Sequence, residues 1–179
     1  GNFEVIGEYP NITGIENIKL KSGRFINEID IIEKRKVCIV GPRVVETLFL
    51  KTENPIGSFI KINGVNFKIV GVTIPQGNGQ RYLEVARKIR IPFTTFQNAF
   101  NIGDKITWFS LTAKKGVEAS VAEEKAITVL KERHKIAPND KQAVGHWNTG
   151  IQFKKMNGLF NGIDWLIWFV GTGTLIAGV

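Results

Sequence analysis

The hydrophobic positions of the chain change period along its length, and the changes mark its elements. Lys36–Val40 is a short run with four apolar residues in succession, which predicts a buried strand. Gly41-Pro42 follows, with Pro42 placed for the first position of a helix. Val44, Val45, Leu48 and Phe49 recur at helical spacing until Asn54-Pro55 ends the pattern. The next stretch alternates. Asn63-Gly64 is the preferred dipeptide of a two-residue type I′ hairpin turn. Such a turn pairs Ile62 with Val65, Ile60 with Phe67 and Ser58 with Ile69. It places Ile60, Ile62, Val65, Phe67 and Ile69 on a core face, and Lys61, Asn66 and Lys68 on a wet one.

Pro75 to Gln80 is a turn-rich loop. Two further strands are predicted, Lys88–Phe93 and Ile106–Ala113, the first pushed to a sheet edge or a strand end by Pro92. Val117 to about His134 reads as an amphipathic helix. Ser120 and Glu123 are spaced as a capping box, Ala122, Ala126, Val129 and Leu130 form a buried stripe, and Glu123, Glu124, Lys131 and Glu132 face water. Residues 135–157 are polar, with a strand candidate at Ile151–Phe153. Strands and helices alternate around a hairpin, which predicts an α+β fold and not a doubly wound sheet.

The C-terminal stretch Trp165–Val179 carries no charge. Its fifteen residues fall short of the roughly 20 that a membrane span needs. Trp165 and Trp168 stand where an interfacial aromatic belt would lie. Gly171, Gly173, Ala177 and Gly178 are small enough to let membrane helices pack closely. The expectation is the start of a truncated transmembrane helix, with a buried C-terminal helix as the alternative. At the other end the chain starts without methionine, which fits a trimmed fragment, and it opens with no signal-peptide pattern.

The chain has 179 residues, enough for one domain or two small subdomains sharing a core. A hydrophobic share of 43% excludes disorder as the main description. One cysteine, Cys38, excludes a disulfide framework and multi-cysteine metal sites. Cys38 lies in an apolar run, where a buried thiol is the simpler reading than a nucleophile paired with His134 or His146. His134 and His146 lack a third ligand for a metal. No phosphate loop and no nucleophile elbow is present, so neither ATP binding nor esterase chemistry is expected on this chain, and no cofactor is implied. Glu28, Asp30 and Glu33 read as a solvated loop face.

The net charge is +8. It is scattered over Lys34–Lys36, Arg87-Lys88 with Arg90, and Lys154-Lys155, while Phe49, Phe67, Trp108 and Phe109 mostly take core-periodic positions. That is unlike the stripe of charge with interleaved exposed aromatics used to bind nucleic acid.

The order of motifs carries a resemblance. Leu20 to Phe25, LKSGRF, resembles the L…GR.F signature of the MacB-type periplasmic core domain of ABC-transporter permeases, within the FtsX-like permease superfamily. Val37–Val40, Val45, Leu48-Phe49 and Pro55-Ile-Gly57 follow in the order of that family's strand, helix and PIG turn. Phe67–Val72, Ile89–Pro92, Leu130–His134 and Phe169–Val179 continue the series to the end. The His146-Trp147 loop departs from it.

The resemblance implies a two-part extracytoplasmic domain over residues 1–158. A porter-like β-α-β module would hold about 1–35 and 100–155, and a β-rich sabre-like module about 36–95. Residues 159–179 would be a stalk and the start of the transmembrane helix. It implies a non-catalytic part of an inner-membrane protein facing the periplasm or extracytoplasmic space. Its partners would be a cytoplasmic ABC ATPase, a second permease copy, and a periplasmic adaptor with an outer-membrane channel. The domain would pass ATP-driven motion to substrate export or to partner proteins. The stalk would carry that coupling through Gly162, Trp165 and Trp168, and the loop Gln76, Gly77, Asn78, Gly79 and Gln80 is a candidate contact. The alternative within the superfamily is an FtsX-like activator of a cell-wall hydrolase. From other classes, the alternatives are a basic soluble domain binding nucleic acid or anionic lipid, and a hydrolase using Cys38 and a histidine.

Overall fold

The turn at Asn63-Gly64 has both residues at positive φ, 47° and 82°, the conformation that a type I′ turn requires. The strands it joins are β4 (Phe59–Ile62) and β5 (Val65–Ile74), in the expected register of Ile62 with Val65 and Ile60 with Phe67. Ser58 accepts the backbone N–H of Ile69, which continues that register. Ile60, Ile62, Phe67 and Ile69 are buried, while Lys61, Asn66 and Lys68 are exposed. The computed structural model describes residues 3–76 and 79–178. The chain divides into two compact units, Gly1–Ser110 and Leu111–Val179.

The first unit is built on one mixed sheet with strand order β1-β6-β3-β5-β2. β1 is Glu4–Glu8, β2 Lys19–Gly23, β3 Val37–Val40 and β6 Lys88–Pro92. β5 is long enough to serve three neighbours. β3 runs parallel along one flank, and β4 and then β2 run antiparallel along the other. β6 is central, parallel to β1 and antiparallel to β3. Pro92 therefore marks a strand end and not an edge; it is the last residue of the ladder, where its missing N–H costs nothing.

Of this unit's helices, α1 (Glu28–Ile32) follows β2, and α2 (Pro42–Leu48) begins at Pro42 as expected but ends at Leu48, before Asn54-Pro55. α3 (Gln80–Ala86) and α4 (Phe93–Phe100) flank β6. One side of the sheet holds the larger core, where Phe67, Ile69, Cys38, Val40 and Ile91 pack with Val44 and, from α4, Phe96. The other side holds Ile26, Ile31 and Ile39.

β2 ends in a close crossing. Gly23 stands at φ +82°, and a Cβ there would lie 2.1 Å from the Val70 carbonyl oxygen. Its sheet partner Gly71 has the Arg24 carbonyl oxygen 2.5 Å from the same point. Only paired glycines let these backbones approach so closely.

The sheet also shows what the hydrophobic pattern hid. β1 and β2 lie in the same sheet as β3–β6, so contacts do not separate residues 1–35 from 36–95. β1 and β2 are five residues each, at sheet edges and rich in charge, as edges that resist aggregation tend to be. Asp30 is not part of a solvated face. It is fully buried, its carboxylate accepting from Arg24 at 2.6 and 3.0 Å and from the Asn27 backbone N–H at 3.0 Å. Asn27 in turn accepts from the Asp30 N–H, so the two close a capping box on α1.

Ile106–Ala113 forms no strand. Ile106, Trp108 and Phe109 are exposed, against the core positions expected for the two aromatics. The residues have strand character, but a strand exists only beside a neighbour that takes its N–H and C=O groups. Among the described residues no ladder partner stands there.

The second unit holds α5 (Ala119–Arg133) and α6 (Thr149–Ala177). The N-cap position of α5 is Glu118, which makes no side-chain cap bond, and not Ser120; the Ser120 hydroxyl donates to Glu118, and Glu123 is engaged elsewhere. Ala122, Ala126 and Leu130 are half-buried, while Val129 is exposed. Ile151–Phe153 belongs to the first turns of α6 and not to a strand. Asn148, whose side chain accepts the Ile151 N–H, supplies the N-cap that starts the helix there.

Candidate functional site

The candidate contact loop sits before α3. Gln76 and Gly79 are exposed, and Gln80 is the first residue of α3. Gly77 and Asn78 lie outside the described residues.

The candidate stalk is α6. It spans 29 residues, about 43 Å at the rise of an α-helix. Helix therefore begins ten residues before the expected stalk start at 159. Gly162 lies at mid-helix, and Trp165 and Trp168 follow on its uncharged part, each about three-quarters exposed. Trp165 stacks on Phe169 with ring centroids 6.1 Å apart. Every residue from 151 to 175 is exposed, so apolar side chains look outward on all sides. Cβ atoms at Gly158, Gly162, Gly171 and Gly173 would meet nothing within 4 Å. Among the described residues no helix is long and apolar enough to cross a membrane.

What fastens α6 is its N-terminal end. Glu123 on α5 divides its carboxylate between two residues. One oxygen lies 2.6 Å from His146 Nδ1, and the other accepts from the Asn148 side-chain amide at 2.7 Å. Lys154, one helical turn into α6, donates to Glu118 at 2.8 Å. A Cβ on Gly150 would lie 3.4 Å from that of Ala119, so the two helix starts touch. The Glu123 carboxyl is held below the usual carboxylate range, first by the Asn148 amide and then, against partial burial, by the bond and charge of His146. Glu118 is held low by Lys154 and Ser120.

Sequence reasoning missed this junction. It read Glu123 as a capping residue and His146 as a lone loop histidine. The legible signal was Asn148, an N-cap residue standing just ahead of a long helix.

The other candidate chemistry is placed differently. Cys38 is fully buried, and burial pushes its thiol up to about 12, which keeps it un-ionised at neutral pH. Among the described residues no group of three or more His, Cys, Asp or Glu side chains could hold a metal. Each of the three basic clusters commits at least one cation, Lys154 of the last to Glu118 as above. Arg90 is buried against Glu8 on the neighbouring strand, and Arg35 pairs with Glu33 at 2.7 Å. Burial pushes the Glu8 carboxyl up, in spite of the Arg90 guanidinium beside it.

Residues 1–129 match the family of the MacB-like periplasmic core domain. That is well over half of the chain. The protein belongs to this family.

Among curated relatives, a macrolide export ATP-binding/permease protein MacB from Syntrophobacter fumaroxidans is 32% identical over 93 residues, covering 52% of this chain and 13% of its own. A protein of the same name from Aggregatibacter actinomycetemcomitans is 27% identical over 120 residues, 67% of this chain and 18% of its own. The crystal structure of the periplasmic region of MacB from Actinobacillus actinomycetemcomitans superposes with a TM-score of 0.56 at 25% identity, over 73% of this chain and 56% of that one. The extracellular domain of the transporter YknZ from Gram-positive bacteria shares the fold at 14% identity, with a TM-score of 0.54 over 73% of this chain and 64% of that one. The chain spans 13–18% of the length of these two curated relatives.

In this MacB-like domain the family motifs coincide with features that have a physical cause. The glycine and arginine of LKSGRF are the close crossing at Gly23 and the guanidinium that neutralises buried Asp30. The glycine of Phe67–Val72 is Gly71, the other half of that crossing.

Proposed function

We propose that this MacB-like domain is the extracytoplasmic part of an inner-membrane ABC-transporter permease and works without catalysis, passing ATP-driven motion outward through α6. The observation that carries the reading is α6 itself. It is long, exposed on every side and fastened at one end, with an uncharged C-terminal stretch behind two tryptophans. Past its first turns, a helix with unfilled space at four interior glycines draws little packing support from the described residues of its own unit, which leaves room for partners. The bilayer suits its apolar end, and a second permease copy suits its small-residue positions. A separate cytoplasmic ATPase supplies the energy, and export or a periplasmic adaptor with an outer-membrane channel receives the motion.

Inserting two or three glycines beside Gly162 breaks the rigid connection without touching either end. Transport in the full-length permease should be lost while ATPase activity stays measurable. Transport at the wild-type rate in the insertion variant would overturn the reading.

A further inference from the structure

We infer that His146, Glu123 and Asn148 form a proton-operated clasp that holds the start of α6 against α5, tighter when His146 is charged and looser when it is neutral. Its consequence for transport rests on the function proposed above; the clasp rests on geometry alone. The Glu123 carboxylate is the hub, because it touches both the loop histidine and the residue that caps α6. Asn148 is held from two sides. Its amide N–H reaches Glu123 at 2.7 Å, while its carbonyl oxygen accepts the Ile151 N–H at 3.2 Å. Whatever fixes Glu123 therefore fixes the rotamer of the cap, and with it the first turn of the helix.

Of this set, His146 is the member that gains a charge by taking up a proton. Glu123 is held on the ionised side by the Asn148 amide and by His146. A charged imidazolium adds the attraction of an ion pair to the hydrogen bond that a neutral ring already gives the carboxylate.

The groups around the imidazole are accounted for. Glu123, Glu124, Lys131 and Glu132 of α5, with Lys135 just beyond it, line the same hollow of about 690 Å³ as His146. Lys131 donates to the Pro138 carbonyl at 2.8 Å, which ties down the segment leading to His146. The Lys154–Glu118 pair braces the same two helices without involving the histidine. In the permease, acid outside the membrane would stiffen the joint through which α5 and α6 move together.

The test is amide hydrogen exchange of the 179-residue chain at pH 5.5 and 7.5, corrected for intrinsic rates. It is read at Ile151, whose N–H the cap accepts, and at Gln152, which bonds the Asn148 carbonyl. Protection there should be greater at pH 5.5, by up to about five-fold, the most that an exposed ion pair supplies. His146→Gln and Glu123→Gln should each abolish the difference, leaving both pH values at the lower protection, while amides of β3 stay as in the wild type. Equal wild-type protection at the two pH values, or an unchanged ratio in His146→Gln, overturns the clasp. Either result leaves force transmission through α6 to be judged by the glycine insertion, since exchange at Ile151 does not depend on transport.

Discussion

Asp30 offers the sharpest test of how the first unit is held together. Its side chain is fully buried, yet it carries a charge and organises three segments: the end of β2 through Arg24, the start of α1 through Asn27, and the turn after α1 through Arg35 at 3.8 Å. Replacing it with alanine takes the charged acceptor from the Asn27 N–H and dissolves the capping box. A hydrogen bond to a charged group is worth about 1.5–3 kcal/mol and a cap about 1 kcal/mol. Arg24 is 42% exposed, so its freed guanidinium reaches water, and the ion pair adds no more than about 1 kcal/mol. Asp30→Ala should therefore cost about 3–4 kcal/mol, a large part of the roughly 5–15 kcal/mol that holds an ordinary domain.

Urea unfolding followed by far-UV circular dichroism reads this as a midpoint lower by about 1.5–2.5 M with the slope unchanged. The sign with pH is also fixed. Burial alone would raise the Asp30 carboxyl, but the Arg24 and Asn27 hydrogen bonds and the charges of Arg24 and Arg35 outweigh it and hold the carboxyl below its ordinary range. Below about pH 4 the unfolded chain takes up the proton first, so the wild type loses this stabilisation as pH falls through the folded value. The gap between wild type and Asp30→Ala should then narrow between pH 7 and pH 3. A cost below about 1 kcal/mol at pH 7, or a gap that does not narrow, would refute the reasoning.

Other expectations follow from single positions. Phe67→Ala empties a site with no exposure at the centre of the sheet and should cost about 3–5 kcal/mol in the same urea experiment. Gly23 and Gly64 share φ +82° but differ in neighbours, since a Cβ at Gly64 meets nothing within 4 Å. Gly64→Ala should cost the strain alone, about 1–2 kcal/mol, and Gly23→Ala about 1–3 kcal/mol more for the clash with Val70, so equal midpoints would sink the argument. Cys38 should stay unmodified by a thiol reagent in the native protein at pH 8 and react only on unfolding. Because its folded value is about 12, stability should fall as pH rises above about 8.5, where the unfolded thiol ionises first.

How far the sequence could be read depended on where each residue finds its partners. The hairpin was legible to the residue because Asn63-Gly64 and the alternation around it are local, and the same holds for Pro42 opening α2 and for the family motifs. β1, β2 and α1 were not legible, because each buries too little to set up a period. Glu4–Glu8 earns its place from β6, more than eighty residues away in sequence. Asp30 was misread because burial of a carboxylate depends on an arginine six residues upstream, although Asn27 and Asp30 already had capping-box spacing. At the candidate site, Gly162, Trp165 and Trp168 were found by composition, while the Glu123–His146–Asn148 junction, formed across 25 residues, was not.

Ile106–Ala113 and α6 fail as free-standing elements for a shared reason. The first has the pattern of a strand without a ladder, and the second has the pattern of a packed helix without a neighbour. Each interior glycine of α6 weakens a solvated helix by about 1 kcal/mol relative to alanine, and there are four between its first turn and Gly178. Propensity therefore argues against so long a helix in water, and its hydrogen-bonded cap and the Lys154 pair secure only its first turns. In a bilayer the balance reverses. Backbone hydrogen bonds cannot be exchanged for water there, so helix is enforced, and small residues become places where another helix can approach. Local sequence and tertiary contact thus disagree along α6 only while the protein is considered in water. That disagreement is the physical ground for proposing a bilayer or a second helix as the partner of the uncharged end of α6.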